Sequence, residues 1–157
     1  MNPARSQAIP APSAPLRYGQ PGFIAAYGAA WGDTETLVSF YAPDGQYTDK
    51  GSGVTVKGRP ALRRFMKVYL GFSPKCVVTF TNTVESKNGF AAEWVWTGNS
   101  EGPLRLQDGF CPQNGSPFSI DGISFCTVND LGQILTHTDY WDAAPLLRQW
   151  KAALAKS

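Results

Sequence analysis

The stretch that decides the fold runs from Cys76 to Thr97, CVVTFTNTVESKNGFAAEWVWT. Up to Ser86 it is rich in β-branched residues and changes side every second position, the period of a strand rather than a helix. Asn88-Gly89 follows, the dipeptide that best tolerates the positive φ angles of a tight hairpin turn. Phe90 to Thr97 then returns as an antiparallel partner. Downstream the pattern repeats. Ser116 to Val128 reads as a third long strand, Asn129-Asp130-Leu131-Gly132 as its turn, and Gln133 to Trp141 as a fourth. Between them, residues 98–115 hold Gly98, Gly102, Pro103, Gly109, Pro112 and Gly115. This reads as a loop of roughly 18 residues, long enough to serve as a functional cover.

Upstream the period is helical. Phe23, Ile24, Ala26, Tyr27, Ala30 and Trp31 follow one helix face, with Pro21 suited to its first turn and Gly32 to its end. Asp33 can cap a second helix that turns Leu37, Phe40 and Tyr41 inward. Ala42-Pro43-Asp44-Gly45 reads as a turn, Gln46 to Asp49 and Val54 to Val56 as short strands. Pro60 opens a third helix with Leu62, Phe65, Met66 and Tyr69 inside and Arg63, Arg64 and Lys67 outside. After the last strand, Asp142 caps a short terminal helix with Leu146, Trp150 and Leu154 on one face. Helices precede the antiparallel strands, so the class is α+β. The sheet, bent by its many glycines and prolines, would curve around the N-terminal helices and enclose a pocket.

Composition agrees. The 157 residues suit one domain with a real core, read as residues 21–157 behind a flexible Ala/Pro/Ser/Gln-rich segment, 1–20. Charged residues are 17%, against about 25% in ordinary domains, while aromatics are 13%. The formal charge of +2 and the lack of a basic run exclude an electrostatic footprint for nucleic acid. No apolar run reaches the ~18 residues of a membrane span. Cys76, Cys111 and Cys126 form neither a disulfide framework nor a metal-binding pair, and one histidine is too few for a structural zinc site. The expectation is a cytoplasmic protein with reduced cysteines and no metal.

Several motifs together carry a resemblance. Tyr27-x-x-Ala30-Trp31, Phe40-Tyr41-Ala42-Pro43-Asp44-Gly45, Asp49 and Lys57-Gly58-Arg59-Pro60-Ala61-Leu62 come first. Trp94-x-x-Thr97-Gly98, Pro112-x-x-Gly115, Gly122, Asp130-x-Gly132-x-Ile134 and Asp139-Tyr140-Trp141-Asp142 follow in order. Over about residues 22–150 the chain resembles the SnoaL-like polyketide cyclases and ketosteroid isomerases of the nuclear-transport-factor-like superfamily. The resemblance implies a cone-shaped α+β barrel with a deep apolar pocket. The superfamily mixes isomerases, cyclases, dehydratases, epoxide hydrolases and binding proteins, so fold alone does not settle function.

An apolar pocket raises a carboxyl's proton affinity and strengthens its hydrogen bonds, which suits proton transfer. Asp49 stands where the resemblance to isomerases places the general base; the competing reading is a strand-end aspartate bonded to the next turn. Asp139 stands where the cyclases and epoxide hydrolases keep an acid/base residue. Strand alternation puts it on one face with Leu135, His137 and Trp141, so His137, the only histidine, could relay a proton. Tyr27 matches the oxyanion-hole tyrosine of the isomerases, or is simply core, and Ser124 replaces their oxyanion-hole acid. Glu93-Trp94-Val95-Trp96 lacks the arginine that epoxide hydrolysis needs. Trp31, Tyr47, Phe65, Tyr69, Trp94 and Trp96 are the expected pocket lining, unless Trp94 and Trp96 face outward into a homodimer interface.

The expected function is cofactor-independent acid/base catalysis, isomerisation or aldol-type ring closure of a hydrophobic cyclic carbonyl compound such as a steroid or polyketide. The alternatives are a non-catalytic small-molecule-binding or dimerisation module, and a dehydratase using His137 with Asp139.

Overall fold

A computed structural model describes residues 14–107, 109–111 and 114–156. The first helix, α1 (Phe23–Ala29), begins behind Gly22, whose φ of 82° makes the sharp entry that only glycine adopts cheaply. Pro21 therefore lies before the helix rather than in its first turn. A single 3-10 turn, Ala30–Gly32, joins it to α2 (Thr34–Phe40). Asp33 caps α2 by accepting from the Thr36 amide at 2.8 Å.

The strand β1 (Tyr41–Asp49) follows directly. The expected turn over residues 42–45 is instead an irregularity inside this strand. Tyr41 pairs with Ile134 and Gln46 with Thr136, so the extra residues bulge out of the ladder. Gly45 is needed there, because a Cβ would stand 2.9 Å from the Ile134 carbonyl oxygen. Then come β2 (Val54–Lys57) and α3 (Arg59–Phe72), followed by the long antiparallel pair β3 (Val77–Ser86) and β4 (Gly89–Asn99). The segment expected to be loop carries a two-stranded hairpin, β5 (Leu104–Leu106) with β6 (Gly109–Cys111). Three residues per strand are too few to show alternation. β7 (Pro117–Val128), β8 (Ile134–Trp141) and α4 (Ala144–Leu154) complete the order. Asp142 accepts from the Ala144 amide at 2.9 Å, at the start of α4. Leu146 is buried while Leu154 is exposed.

Six strands form one curved sheet in the order β2-β1-β8-β7-β4-β3. All neighbours are antiparallel except β1 and β8, which are parallel. The architecture is α+β, as expected. A register shift where β7 meets β8, with Thr127 opposite Thr136 and Val128 opposite Ile134, turns Leu135 outward. Leu135 thus departs from the face it was expected to share with His137 and Asp139.

Two packed clusters hold the fold. One joins Phe23, Tyr27, Trp31, Leu37 and Met66 under α1–α3; the other joins Phe72, Trp94, Trp96, Phe118 and Leu146. Each such fully buried side chain contributes roughly 1.5–3 kcal/mol. Of the expected flexible segment, residues 1–13 lie outside the described residues. Its end is tied down: Tyr18 donates from its amide to Gly132 O at 2.9 Å and from its hydroxyl to Ser86 O and Gly89 O, each at 2.7 Å.

Candidate functional site

The inner face of the sheet, closed by α3 and the β5–β6 hairpin, encloses a cavity of about 610 Å³. Trp31, Tyr47, Phe65, Tyr69, Trp94 and Trp96 all line it. Trp94 and Trp96 therefore point inward, not to an outer interface. Val54, Val56, Val68, Val78 and Phe80 add further apolar wall. Among the described residues no three metal-ligating side chains converge.

The parallel register of β1 and β8 assembles the polar part. It sets Tyr47 beside His137 and Asp49 beside Asp139, all on the inner face. On the other side of β8, Ser124 pairs with Asp139. Four strand positions thereby bring two carboxyls, an imidazole and a phenol together.

Asp139 is buried and accepts three hydrogen bonds. His137 Nε2 donates to Oδ1 at 2.7 Å, Ser124 to Oδ1 at 2.6 Å and Tyr47 to Oδ2 at 2.8 Å. Burial alone would raise its proton affinity, but the imidazole charge and these donors outweigh it and hold the carboxyl below its ordinary value. Burial likewise pushes the His137 imidazole down, yet the Asp139 carboxylate overrides this and lifts it to about 10. The bond directions agree with a charged ring. Tyr27 gives its own proton to Tyr41 Oη at 2.9 Å and so accepts from His137 Nδ1 at 2.6 Å. Both ring nitrogens then carry protons, and His137⁺–Asp139⁻ is a buried ion pair.

Asp49 differs. Its Oδ1 accepts from Trp141 Nε1 at 2.6 Å and from the Ser52 amide at 3.0 Å. Among the described residues its Oδ2 accepts nothing. Burial raises its proton affinity, only partly offset by the Ser52 amide and the Trp141 indole. The cavity thus holds one carboxyl pushed up beside one pushed down, the separation that assigns acid and base roles to a pair.

The other candidates fall into place around these two. Asp49, Asp139 and Ser124 border the cavity; Tyr27 and His137 are not among its lining residues. Tyr27 is fully buried and holds the imidazole from behind, so it does not present its hydroxyl to a ligand as the oxyanion reading required. The Ser124 hydroxyl is committed to Asp139 and accepts from Trp94 Nε1 at 2.9 Å. Sequence reasoning missed the indoles of Trp94 and Trp141 as hydrogen-bond donors. Trp141 was within reach, since period two puts it on the face of Asp139. Arg64, assigned to the outer face of α3, borders the cavity, as do Arg105 and Gln107.

The SnoaL-like domain family matches residues 22–137. No curated protein matches the chain. Solved structures share the fold. A protein of ketosteroid isomerase-like fold from Catenulispora acidiphila, bound to trimethylamine, is 22% identical, with 83% of this chain and 93% of that one covered at a TM-score of 0.70. A Jannaschia protein named as a SnoaL-like polyketide cyclase is 18% identical, with 82% and 88% covered and a TM-score of 0.69. IdmH from Streptomyces antibioticus, named as a polyketide cyclase, is 24% identical, with 82% and 95% covered and a TM-score of 0.65.

Proposed function

The chain belongs to the SnoaL-like domain family, and from that premise we propose that it is a cofactor-independent isomerase or cyclase acting by general acid/base proton transfer on a hydrophobic cyclic carbonyl compound, such as a steroid or polyketide. The observation that carries this reading is the pairing of Asp49 and Asp139 side by side in the wall of one apolar cavity, with opposed proton affinities.

The chemistry follows from the neighbours. Asp49 is the base: its Oδ2 is open, and its burial favours the protonated product of the transfer. It removes a proton from the carbon next to the substrate carbonyl, and the electron pair of that C–H bond moves onto the carbonyl oxygen. That oxygen sits at Asp139. The proton on His137 Nε2 passes by way of Asp139 to the developing oxyanion, which leaves a neutral imidazole beside the Asp139 carboxylate as the enol forms and Asp49 becomes neutral. Isomerisation is completed when Asp49 returns its proton to the carbon at the far end of the conjugated system and the enol proton goes back. In ring closure the enol carbon instead attacks a second carbonyl, whose oxygen takes the proton. Partner strands stand ~4.8 Å apart, a spacing that lets one substrate reach both carboxyls. Tyr27 and Tyr41 hold the imidazole, and Ser124, Tyr47 and Trp94 hold Asp139.

The dehydratase reading loses support, because both nitrogens of His137 are occupied and its ring is closed off from the cavity. We propose further that the protein works as a homodimer through the outer face of its sheet, and in the cytoplasm, where Cys76 and Cys126 would stay free thiols. The test of the chemistry is turnover of a panel of 3-oxo-steroids and polyketide-like diketones. Asp49→Asn should lower kcat by at least ~100-fold, with a smaller effect on KM. Unchanged kcat in Asp49→Asn, on any substrate the wild type turns over, would overturn the assignment of the base.

A further inference from the structure

Besides the two carboxyls, two charged side chains border the cavity, Arg64 of α3 and Arg105 of β5. Both side chains border the cavity and both residues are exposed. Their state differs from that of Arg63, Arg59 and Arg17. Arg63 donates to both carboxylate oxygens of Glu35, at 2.8 and 2.9 Å. Arg59 donates to the Tyr41 carbonyl from Nε at 3.0 Å, and Arg17 to the Ser39 carbonyl at 3.2 Å. Arg64 and Arg105 have no hydrogen bond or ion pair to the protein among the described residues. Two guanidiniums therefore stand over an apolar cavity with their donors unused.

Three physical facts decide what they suit. A guanidinium offers a planar fork of N–H groups that matches a carboxylate in two parallel bonds. An exposed arginine loses little hydration when it takes such a partner, unlike the buried pair below. Val54, Val56, Phe65 and Val68 also line the cavity and offer nothing to a charge. An anionic group would be repelled by Asp49 and attracted by the arginines, so it settles at the arginines rather than at the acids.

We infer that this cavity takes an amphipathic carboxylate: an apolar ring body within, its carboxylate held by Arg64 and Arg105, its carbonyl end turned toward Asp49 and Asp139. The inference rests on the reading of the cavity as the substrate site. It adds the substrate's charge and its direction of entry, and it does not depend on which reaction follows.

Pyrenebutyric acid and its methyl ester make the test, since they differ only in the charge. Binding is read as quenching of the cavity tryptophans Trp31, Trp94, Trp96 and Trp141. At low salt the acid should bind roughly tenfold tighter than the ester. Salt should weaken the acid and leave the ester unchanged. R64Q and R105Q should each shrink the preference, and the double variant should abolish it with ester affinity retained. Both residues are exposed, so these variants fold. Equal affinity of acid and ester in the wild type, or a preference that survives the double variant, overturns this inference and leaves the cavity a ligand site. Binding of neither compound overturns it together with the substrate-site reading.

Discussion

Asp49 and Asp139 sit opposite one another on β1 and β8, yet their proton affinities move in opposite directions. The strand positions are equivalent; the neighbours are not. Asp139 has a charged imidazole at 2.7 Å, whereas Asp49 has an indole and one amide. The consequence for stability has a definite sign. His137 binds its proton more tightly folded than unfolded, 6.5 rising to about 10. Its contribution is thus full below about pH 6.5 and is lost as pH rises through about 10. Asp139 is the reverse case, contributing above its ordinary value and losing that contribution as pH falls through its lowered one. Asp49, held high, weakens the folded state slightly once it ionises. The wild type should therefore lose Tm between about pH 7 and about pH 10. In His137→Gln that alkaline fall should be smaller, and at neutral pH the variant should lie roughly 3–5 kcal/mol below the wild type, since one member of a buried pair has been removed. Thermal melts followed by near-UV circular dichroism give both curves. Parallel pH dependences in the two proteins would exclude a charged His137.

Strands β4 and β7 hold the acid through a glycine. Gly122 lies opposite both Trp94 and Trp141, and a Cβ there would stand 2.3 Å from Trp94 Cη2. The indole would have to move, and its Nε1 would leave Ser124, the donor to Asp139. Gly122→Ala should cost about 1–3 kcal/mol by overpacking and lower kcat more than it raises KM. Denaturant unfolding measures the first effect and steady-state kinetics the second; a variant as stable and active as the wild type would refute this role for Gly122. At this scale the sequence was informative where a pattern is local. The strand period, Asn88-Gly89 and the Asp33 cap each depend on neighbours in the chain, and each was readable. The bulge after Tyr41 and the outward turn of Leu135 were not, because both arise where one strand's ladder slips against another's. The site divides in the same way. Asp49, Asp139 and the aromatic lining follow from strand and helix faces. That His137 would stand between Tyr27 and the cavity depends on how the sheet wraps around α1, which no spacing in the chain records.

The sheet as a whole has two faces with different occupants. The inner face spends its aromatics on the cavity. The outer face carries Ile123 and Phe125 on β7 and Tyr140 on β8, 45%, 57% and 53% exposed. Ile123 and Tyr140 are direct cross-strand partners, and Phe125 is two positions along the same face. These residues form an apolar patch in the middle of the sheet, where neither an edge strand nor a helix covers it. Clustered large apolar side chains of this kind mark contact surfaces in soluble proteins. A second copy meeting the patch face to face would bury all three residues twice over, which is how an isologous pair multiplies a modest surface. Low overall charge favours such a contact, since little like-charge repulsion opposes it. Phe125→Glu sets a carboxylate in the patch of each copy and should convert a dimer to a monomer in sedimentation velocity runs, with far-UV circular dichroism unchanged because the position is exposed. A wild-type protein that sediments as a monomer at tens of micromolar or above would leave this face without a second copy as its partner. The cavity and its acids lie entirely within one chain, so the monomeric variant should keep its binding of apolar ligands.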